Sequence, residues 1–397
     1  MTDSEPTIRA TDAKRRATVL QVLPGLVSGG VERGTVDMAQ ALVAAGWNSL
    51  VASAGGPMVR EIERAGATHI TLPLASKNPL VMRANVRRLA EIIRQHGVDI
   101  VHARSRAPAW SARSAAKRAG AHFVTTFHNA YRGKSWLKRR YNAIMAEGER
   151  VIAISRFVAE RAAAAYGVPW DRIRIVHRGV DVKRFDPEKV AAERIVRLAG
   201  EWRLPDGVPI VMLPARVSRW KGHTVLIEAM RLLNRPQVHV LLVGGGGSPR
   251  YQASLAQAIR RAGSAVTFRM LGECRDMPAA YMLADIVVSA STEPEGFGRV
   301  TVEAQAMGRP VIATAHGGSA ETVVPGETGW LVPPGDAAAL AEAIGRALDL
   351  PAEERRALAL REIAHVRADF SIAVMAARTI AVYEELLGPA PHGTPAA

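Results

Sequence analysis

Short apolar runs rich in β-branched residues alternate along the chain with longer stretches in which apolar residues recur at helical spacing. This alternation is typical of parallel sheets whose strands are joined by crossover helices. It predicts two series of strands, separated by a polar stretch with prolines and glycines at 186–209. The predicted strands are 18–23, 49–52, 69–72, 99–102, 123–127 and 151–154 in the first series, and 210–213, 238–243, 266–270, 286–289, 311–313 and 330–332 in the second. We therefore expect an α/β protein with two doubly wound parallel sheets.

The length of 397 residues also fits two domains, because one core rarely serves a chain of this size. We expect a first domain at 1–200, with its ordered core at about 17–186, and a second domain at 201–370. Ligands of such sheets bind at the carboxyl ends of the strands, so two facing sheets would leave a binding cleft. No repeat of 20 to 50 residues is evident, which argues against a solenoid.

The composition favours a cytoplasmic protein. The single cysteine excludes an internal disulfide and a cysteine zinc cluster, which suits a reducing compartment. No run of about 18 apolar residues occurs, so no transmembrane helix is expected. The first 16 residues are polar and lack the apolar core of a signal peptide. We expect disorder only at the ends, 2–16 and 389–397.

The formal charge of +15 belongs to the first half of the chain. Residues 1–200 carry 33 Lys and Arg against 17 Asp and Glu, whereas 201–397 carry 19 against 20. Dense basic stretches are Arg83, Arg87, Arg88 and Arg94, then Arg132, Lys134, Lys138, Arg139 and Arg140. Such runs are often only a solvated surface. The other reading is an anionic partner: a phospholipid, a phosphorylated glycan or a nucleic acid.

Two glycine-rich turns follow predicted strands. Gly29 and Gly30 precede a predicted helix with apolar residues at Val31, Thr35, Met38, Leu42 and Ala45, and could let an anion approach its free N–H groups. The turn fails the P-loop, since Val31 stands where the lysine belongs, and it fails the dinucleotide fingerprint. Taken alone, the turn is better explained as a tight connection between strand and helix. The run from Gly244 to Gly247 also fails the fingerprint, so no nicotinamide cofactor is expected.

Two further segments carry charged residues at strand-to-helix junctions. Arg216 and Lys221 stand on one loop, and both suit phosphate oxygens, although exposed loop charges would look the same. Glu295, Gly296, Phe297 and Gly298 form a turn whose amides can point at an anion. Glu303 follows inside the next helix, and two such carboxylates can accept hydrogen bonds from two hydroxyl-bearing parts of one ligand.

These motifs together resemble the retaining glycosyltransferases of family 4, which have the GT-B fold of two facing Rossmann-like domains. The resemblance covers nearly the whole chain, and the string from Glu295 to Glu303 is its most specific part. The other matching segments are Gly29-Gly30, Ile154-Ser155-Arg156-Phe157, Arg178-Gly179-Val180-Asp181, Arg216 with Lys221-Gly222, and Gly317-Gly318-Ser319-Ala320-Glu321 followed by Gly329-Trp330-Leu331-Val332. The chain departs from the pattern at His177-Arg178-Gly179, where many members have Pro-Asn-Gly; we interpret this as a subfamily mark.

The resemblance implies a role for each matching residue. Arg216 and Lys221 would bind the donor diphosphate, assisted by Gly29, Gly30 and the turn Gly296-Phe297-Gly298. Glu295 would bind hydroxyls of the donor sugar, Glu303 the ribose, and His128 would lie beside the transferred sugar. The catalytic residues would be Glu295, His128, Arg216 and Lys221. The family needs no metal, and no Asp-x-Asp metal motif occurs here; we expect no cofactor besides the nucleotide sugar. The closing helix, within 371–388, would return to the first domain.

The acceptor follows from the charge asymmetry and a second resemblance. In this fold the first domain takes the acceptor, so the basic half predicts an anionic or membrane-borne glycan. The segment from His102 to Trp110, with Tyr141-Asn142, is similar to bacterial enzymes of lipopolysaccharide-core sugar transfer, some of them mannosyltransferases. The acceptor-side candidates are Arg104, Arg106, Arg139 and Arg140. We expect the protein to contact the cytoplasmic face of the inner membrane.

Two alternatives stay open at this point. The first is a GT-B nucleotide-sugar epimerase, which would share the fold but need an acid and a base for C–H chemistry. The second is a nucleic-acid-binding protein, which the 5% aromatic content and the lack of a stacking-rich basic motif disfavour.

Overall fold

The structure is a computed structural model and describes residues 16–27, 29–131, 135–263 and 266–388. It divides into two compact units, 1–124 and 125–397. The predicted disordered ends, apart from Arg16, lie outside the described residues, as do Arg132 and Lys134. The predicted domain boundary at residue 200 stays a prediction.

The described residues contain thirteen strands in two parallel sheets. The strands are β1 (Thr18–Val22), β2 (Asn48–Ser53), β3 (Thr68–Thr71), β4 (Ile100–Ala103), β5 (His122–Phe127), β6 (Arg150–Ala153), β7 (Ile173–Ile175), β8 (Ile210–Pro214), β9 (His239–Val243), β10 (Thr267–Leu271), β11 (Ile286–Ser289), β12 (Val311–Thr314) and β13 (Trp330–Val332).

The strand orders are those of Rossmann-like sheets. The first runs β3-β2-β1-β4-β5-β6-β7 and the second β10-β9-β8-β11-β12-β13. Every neighbouring pair of the second sheet is parallel, and so are β2–β3, β1–β2, β1–β4 and β6–β7 of the first. The prediction of two doubly wound α/β sheets is confirmed.

Twelve of the thirteen described strands lie where the hydrophobic pattern predicts them, and β7 is the exception. This strand has three residues, with Arg174 between two isoleucines, and it pairs with β6 at the sheet edge. The charged Arg174 interrupts the apolar run of β7, whereas the equally short β13 is apolar throughout.

Helices connect most of the strands. They are α1 (Gly30–Ala44), α2 (Val59–Arg64), α3 (Pro79–Gln95), α4 (Arg106–Ala119), α5 (Trp136–Ala143), α6 (Arg156–Tyr166), α7 (Ala192–Glu201), α8 (His223–Leu233), α9 (Pro249–Arg261), α10 (Met277–Leu283), α11 (Arg299–Ala306), α12 (Ala337–Leu348), α13 (Ala352–Asp369) and α14 (Ile372–Leu387).

The spacing of apolar residues predicted α1, but the helix ends one residue earlier than this spacing indicates. Thr35, Met38 and Leu42 are buried as expected, whereas Ala45 follows the helix and is exposed. The polar stretch between the two strand series contains α7, which the pattern did not predict.

The second sheet has a continuous apolar core. Alternate residues of β8, β9 and β11, such as Leu213, Leu242 and Val288, pack with Leu226 of α8 and Ile344 of α12. This packing holds the sheet rigid, so the loops that leave its carboxyl edge start from well-defined positions.

Candidate active site

The strand order of the second sheet reverses between β8 and β11. The chain proceeds from β8 to β9 and β10 on one side, and from β11 to β12 and β13 on the other. The crevice at the carboxyl ends of two such strands is the usual ligand site of a doubly wound sheet. Arg216 and Lys221 follow β8, and Glu295 follows β11. The topology therefore brings three of the predicted residues to one crevice.

Lys221 and Glu295 form an ion pair in this crevice. The Lys221 Nζ lies 2.7 Å from Glu295 Oε1, and their side chains are 15% and 14% exposed. The Lys221 ammonium also stands over the Trp220 ring, 4.4 Å from its centroid, and the Ser291 hydroxyl donates a hydrogen bond to the same carboxylate oxygen. Both charged groups are thus held in place from two sides.

The loops that carry this pair touch through their backbones. Gly222 has φ +75°, and a Cβ added there would overlap the carbonyl oxygen of Ala290 at the end of β11. Two positions further along that loop, the Thr292 N–H donates to the Trp220 carbonyl at 2.7 Å. Only glycine allows this close approach, which sets the distance between Lys221 and Glu295.

Arg216 is exposed, and no ion pair found among the described residues involves it. Its loop lies against the glycine run 244–247: the Val217 N–H donates to the Gly245 carbonyl at 3.0 Å, and a Cβ at Gly246 would lie 3.1 Å from Arg216 Cγ. The glycine run thus lets the β9 loop pack against the loop of Arg216.

The turn Gly296-Phe297-Gly298 leads into α11. Gly298 has φ +86° and directly precedes the helix, and a Cβ there would lie 2.9 Å from Ser319 Cα. The Gly318 N–H donates to the Glu295 carbonyl at 2.8 Å, so the glycines of the later motif pack on this turn. A glycine turn at a helix N-terminus is an arrangement that can stabilise an anion.

Glu303 lies deeper than Glu295. It is 8% exposed; the buried Tyr281 hydroxyl donates to its Oε2 at 3.0 Å, and Arg299 pairs with its Oε1 at 2.7 Å. Burial, followed by the charge of Glu303, raises the pKa of Tyr281 well above its usual value, so this hydroxyl keeps its proton and acts as a donor. Tyr281 is absent from the motif, and no local signal marked it.

His128 follows β5 and lies beside the same turn. A Cβ at Gly296 would lie 3.1 Å from the His128 carbonyl oxygen and 3.6 Å from Asn129 Cα. Arg178 Nη2 donates to His128 Nδ1 at 3.0 Å. Within the unit 125–397, the structure therefore brings His128 against the loop of Glu295.

Glu321 forms hydrogen bonds with the N-terminus of α6 and with His177. Its two oxygens accept hydrogen bonds from the N–H groups of Arg156 and Phe157, at 2.7 and 2.8 Å, where α6 begins. Its Oε2 also lies 3.1 Å from His177 Nε2. Burial raises the pKa of this carboxyl, but the hydrogen bonds from His177, Phe157 and Arg156 outweigh it, and the pKa falls below its usual value.

Four predicted residues lie in the unit 1–124. Gly29 has φ +127° at the start of α1, whose first turn contains Glu32. Arg104 and Arg106 follow β4, the neighbour of β1, and the Arg104 N–H donates to the Val22 carbonyl at 2.9 Å. These residues occupy the crevice where the order of the first sheet reverses.

Helix α5 carries the other two acceptor-side candidates. Arg139 donates to the Ala165 carbonyl near the end of α6, at 2.7 Å from its Nη2, and Arg140 is exposed. The helix begins with Trp136 and Leu137, whose exposed fractions are 70% and 61%. Large apolar side chains thus stand in solvent next to Lys138, Arg139 and Arg140.

A cavity of about 850 Å³ lies at the opposite edge of the second sheet, near the residues that precede β8, β11 and β12. Its wall includes the pairs Arg235–Asp349 and Arg355–Asp285. Arg355 also donates to the last carbonyls of α12. These charges serve packing, and none of the predicted site residues lines this cavity.

Neither a metal cluster nor a membrane span occurs in the described residues. No group of three His, Cys, Asp or Glu side chains there could hold a metal ion. None of the helices in this part of the chain is long and apolar enough to cross a membrane.

Two sequence profiles match the chain. The profile of Glycosyltransferase Family 4 matches residues 28–184, and that of Glycosyl transferases group 1 matches residues 197–362. The second match contains Arg216, Lys221, Glu295 and Glu303.

Three known proteins are similar over most of the chain. A GDP-mannose-dependent monoacylated alpha-(1-6)-phosphatidylinositol monomannoside mannosyltransferase of Corynebacterium glutamicum is 32% identical over 73% of this chain and 77% of its own length. A GDP-mannose-dependent alpha-(1-6)-phosphatidylinositol monomannoside mannosyltransferase of Mycolicibacterium smegmatis is 33% identical over 69% of this chain and 72% of its own. The crystal structure of a glycosyltransferase from Rickettsia africae superimposes with a TM-score of 0.86 at 37% identity, covering 94% of this chain and 100% of that one.

Proposed function

Because the chain belongs to the glycosyltransferases that combine a Glycosyltransferase Family 4 region with a Glycosyl transferases group 1 region, we propose that it transfers a hexose from a nucleotide-diphosphate sugar to a glycan or lipid-linked acceptor. The hexose we favour is mannose, since two relatives are GDP-mannose-dependent. The reaction would retain the anomeric configuration and need no metal ion.

The observation that carries this proposal is the Lys221–Glu295 pair at the strand-order reversal of the second sheet. An ammonium group has three N–H donors, so Lys221 can bind Glu295 and a phosphate oxygen together. Glu295, next to that phosphate, would accept hydrogen bonds from hydroxyls of the attached sugar. Cation and carboxylate thus match the two ends of a sugar diphosphate.

The chemistry requires stabilisation of a departing diphosphate. As the bond between the sugar C1 and the phosphate oxygen breaks, positive charge grows on the sugar and negative charge on the diphosphate. Lys221, Arg216 and the N-terminus of α11 would stabilise that negative charge, and preorganised groups of this kind commonly supply the largest catalytic contribution. The acceptor oxygen would attack C1 from the same face, and its proton would pass to the leaving phosphate.

The ribose end of the donor would bind near Glu303. Its carboxylate is held by Tyr281 and Arg299, so it is already oriented before a ligand arrives. Preorganised acceptors lose little freedom on binding, which favours affinity.

The acceptor we propose is an anionic or membrane-borne glycan, as in the synthesis of a lipopolysaccharide core or another cell-envelope glycan. Arg104 and Arg106 would contact it. Exposed Trp136 and Leu137 beside Lys138, Arg139 and Arg140 fit contact with an anionic bilayer, because aromatic side chains favour the lipid interface and cations the headgroups. The enzyme would act at the cytoplasmic face of the inner membrane.

A screen of nucleotide sugars tests the proposal. We expect GDP-mannose to raise the thermal unfolding midpoint of the protein, without added metal and also in the presence of a chelator. In water without an acceptor, we expect the protein to release GDP slowly from GDP-mannose. Transfer to candidate acceptors, with the product's anomeric configuration read by NMR, then tests retention. If no nucleotide sugar binds, the proposal is wrong; if the sugar is isomerised without an acceptor, the chain is an epimerase.

A further inference from the structure

The segment His177-Arg178-Gly179, which departs from the family pattern, touches three different parts of the unit 125–397. His177 contacts Glu321, Arg178 contacts His128, and Gly179 lies against the start of α14. The segment therefore links the end of β5 with the Gly317–Glu321 segment and with α14.

The backbone on both sides of Arg178 is fixed. A Cβ at Gly179 would lie 2.5 Å from Ile372 Cα, so the two backbones are in direct contact. The Val180 N–H donates to the Phe370 carbonyl at 2.7 Å, and the Ile372 N–H donates to the Val180 carbonyl at 3.0 Å. On the other side His177 is held by Glu321. The guanidinium of Arg178 thus starts from an anchored position.

The hydrogen bond from Arg178 constrains the proton on His128. A guanidinium has only donors and keeps its charge, so the nitrogen facing it must be an acceptor. Arg178 Nη2 lies 3.0 Å from His128 Nδ1, and that nitrogen can accept only when it carries no proton. The proton of the neutral ring then sits on Nε2, and a second proton on Nδ1 would face a cation.

We propose that Arg178 is a positioning residue that holds His128 neutral, with its proton on Nε2, at the site of sugar transfer. The inference rests on the proposed function for the substrate, but the tautomer itself does not. In this state the ring acts as a donor through Nε2 towards an oxygen of the sugar or its diphosphate. It does not take the proton of the acceptor, which leaves that proton to the departing phosphate.

An NMR experiment tests the tautomer without any substrate. Protein labelled with nitrogen-15 in its histidine side chains is measured by long-range proton–nitrogen correlation, and His128→Gln identifies the signal. We expect Nε2 to be the protonated nitrogen and Nδ1 the unprotonated one from pH 6 to 8. In Arg178→Met, we expect the ring to take up its second proton at higher pH than in the unchanged protein. A signal with the proton on Nδ1, or no change in Arg178→Met, overturns the proposal.

Kinetics test the consequence for transfer. Arg178→Met should lower kcat about tenfold, a size usual for groups that orient a catalytic residue, with little change in the donor KM. The acid limb of the rate profile should move to higher pH. Arg178→Gln, which keeps an N–H donor, should recover part of the loss. In a His128→Ala background Arg178→Met should cost less than about twofold, because the residue it positions is gone.

An equal loss in both backgrounds would mean that Arg178 acts on something other than His128. Thermal unfolding midpoints of all variants identify any that fail to fold. If Arg178→Met is among them, the tautomer of His128 in the unchanged protein still decides the proposal. The two failures are distinguishable: a correct tautomer without donor turnover contradicts the proposed function, whereas turnover with the wrong tautomer contradicts the role of Arg178.

Discussion

Lys221 Nζ lies 2.7 Å from Glu295 Oε1, across the crevice between the loops that follow β8 and β11. The two residues belong to separate sequence motifs, and neither motif by itself indicates that the two lie close together. Their pairing places a cation for phosphate beside a carboxylate for sugar hydroxyls. The donor end of the proposed reaction depends on this relationship.

Removing the cation tests the pair directly. Lys221→Ala should raise the activation free energy by about 3 kcal/mol, because the leaving diphosphate loses a preorganised donor. This corresponds to a decrease in kcat of more than about a hundredfold. Arg216→Ala should act in the same direction. The measurement is the rate of GDP release from the best donor of the screen. Lys189→Ala is the control, since Lys189 is 60% exposed and forms an ion pair with Asp186, away from Lys221 and Glu295 in the sequence. Rates near those of the unchanged enzyme in both site variants would contradict the assignment.

The backbone contact at Gly222 should be essential for stability. Gly222→Ala adds a Cβ that overlaps the Ala290 carbonyl, so it should cost more than about 3 kcal/mol of unfolding free energy. Gly207→Ala is the matched control: Gly207 has a similar φ, +72°, and nothing lies within 4 Å of the added atom. It should cost only about 1 kcal/mol, for the left-handed backbone. Denaturant unfolding measures both values, and equal costs would refute the contact.

The hydrogen bond from Tyr281 to Glu303 should affect donor affinity. Tyr281→Phe should raise the donor KM by up to about tenfold, because Glu303 loses an orienting hydrogen bond of roughly 1.5 kcal/mol. The ribose does not react, so kcat should change little. In the control Tyr251→Phe, the deleted hydroxyl is buried and forms no hydrogen bond among the described residues. A lower kcat at unchanged KM would speak against ribose binding by Glu303.

The exposed start of α5 should promote membrane contact. We expect co-sedimentation with anionic liposomes, weaker at high salt and negligible with neutral liposomes, because cations near the headgroups attract anionic lipid. The double variant Trp136→Ser with Leu137→Ser should reduce the bound fraction about fivefold. Trp170→Ser is the control, since Trp170 is also exposed, at 52%. Equal binding to anionic and neutral liposomes would contradict the proposal of membrane contact.

A buried carboxyl predicts a pH dependence of stability. Glu362 on α13 is fully buried, and burial raises the pKa of its carboxyl well above the usual value. The folded protein therefore holds this proton when the unfolded chain releases it, and Glu362 costs stability as pH rises above about 4.5. Glu362→Gln should raise the unfolding free energy at pH 7.5 by an amount of the order of 1 kcal/mol, with no gain near pH 4.5.

Chemical unfolding at both pH values measures this difference. Glu354→Gln, an exposed position on the same helix, is the control and should show no such change with pH. A gain that is the same at both values would mean that the charge of Glu362 is not its cause.

Much of the fold and part of the site follow from local patterns. The alternation of apolar runs located twelve strands, because burial of a strand or a helix face requires a fixed spacing of apolar residues. The motif from Glu295 to Gly298 is equally local, since a glycine turn before a helix is a property of neighbouring residues. The sequence did not predict β7, because Arg174 interrupts its short apolar run, nor α7, because a mostly polar stretch shows little contrast between its faces.

By itself, the sequence determined the two parallel sheets, the loops that carry Arg216, Lys221 and Glu295, and the helix that carries Glu303. Only the tertiary structure decided that Lys221 pairs with Glu295, that Tyr281 donates to Glu303, and that Arg178 faces His128. The physical reason is that each pair joins segments distant along the chain. Such contacts depend on how strands are ordered in a sheet and on how closely glycines let loops approach, and no spacing within one segment encodes either.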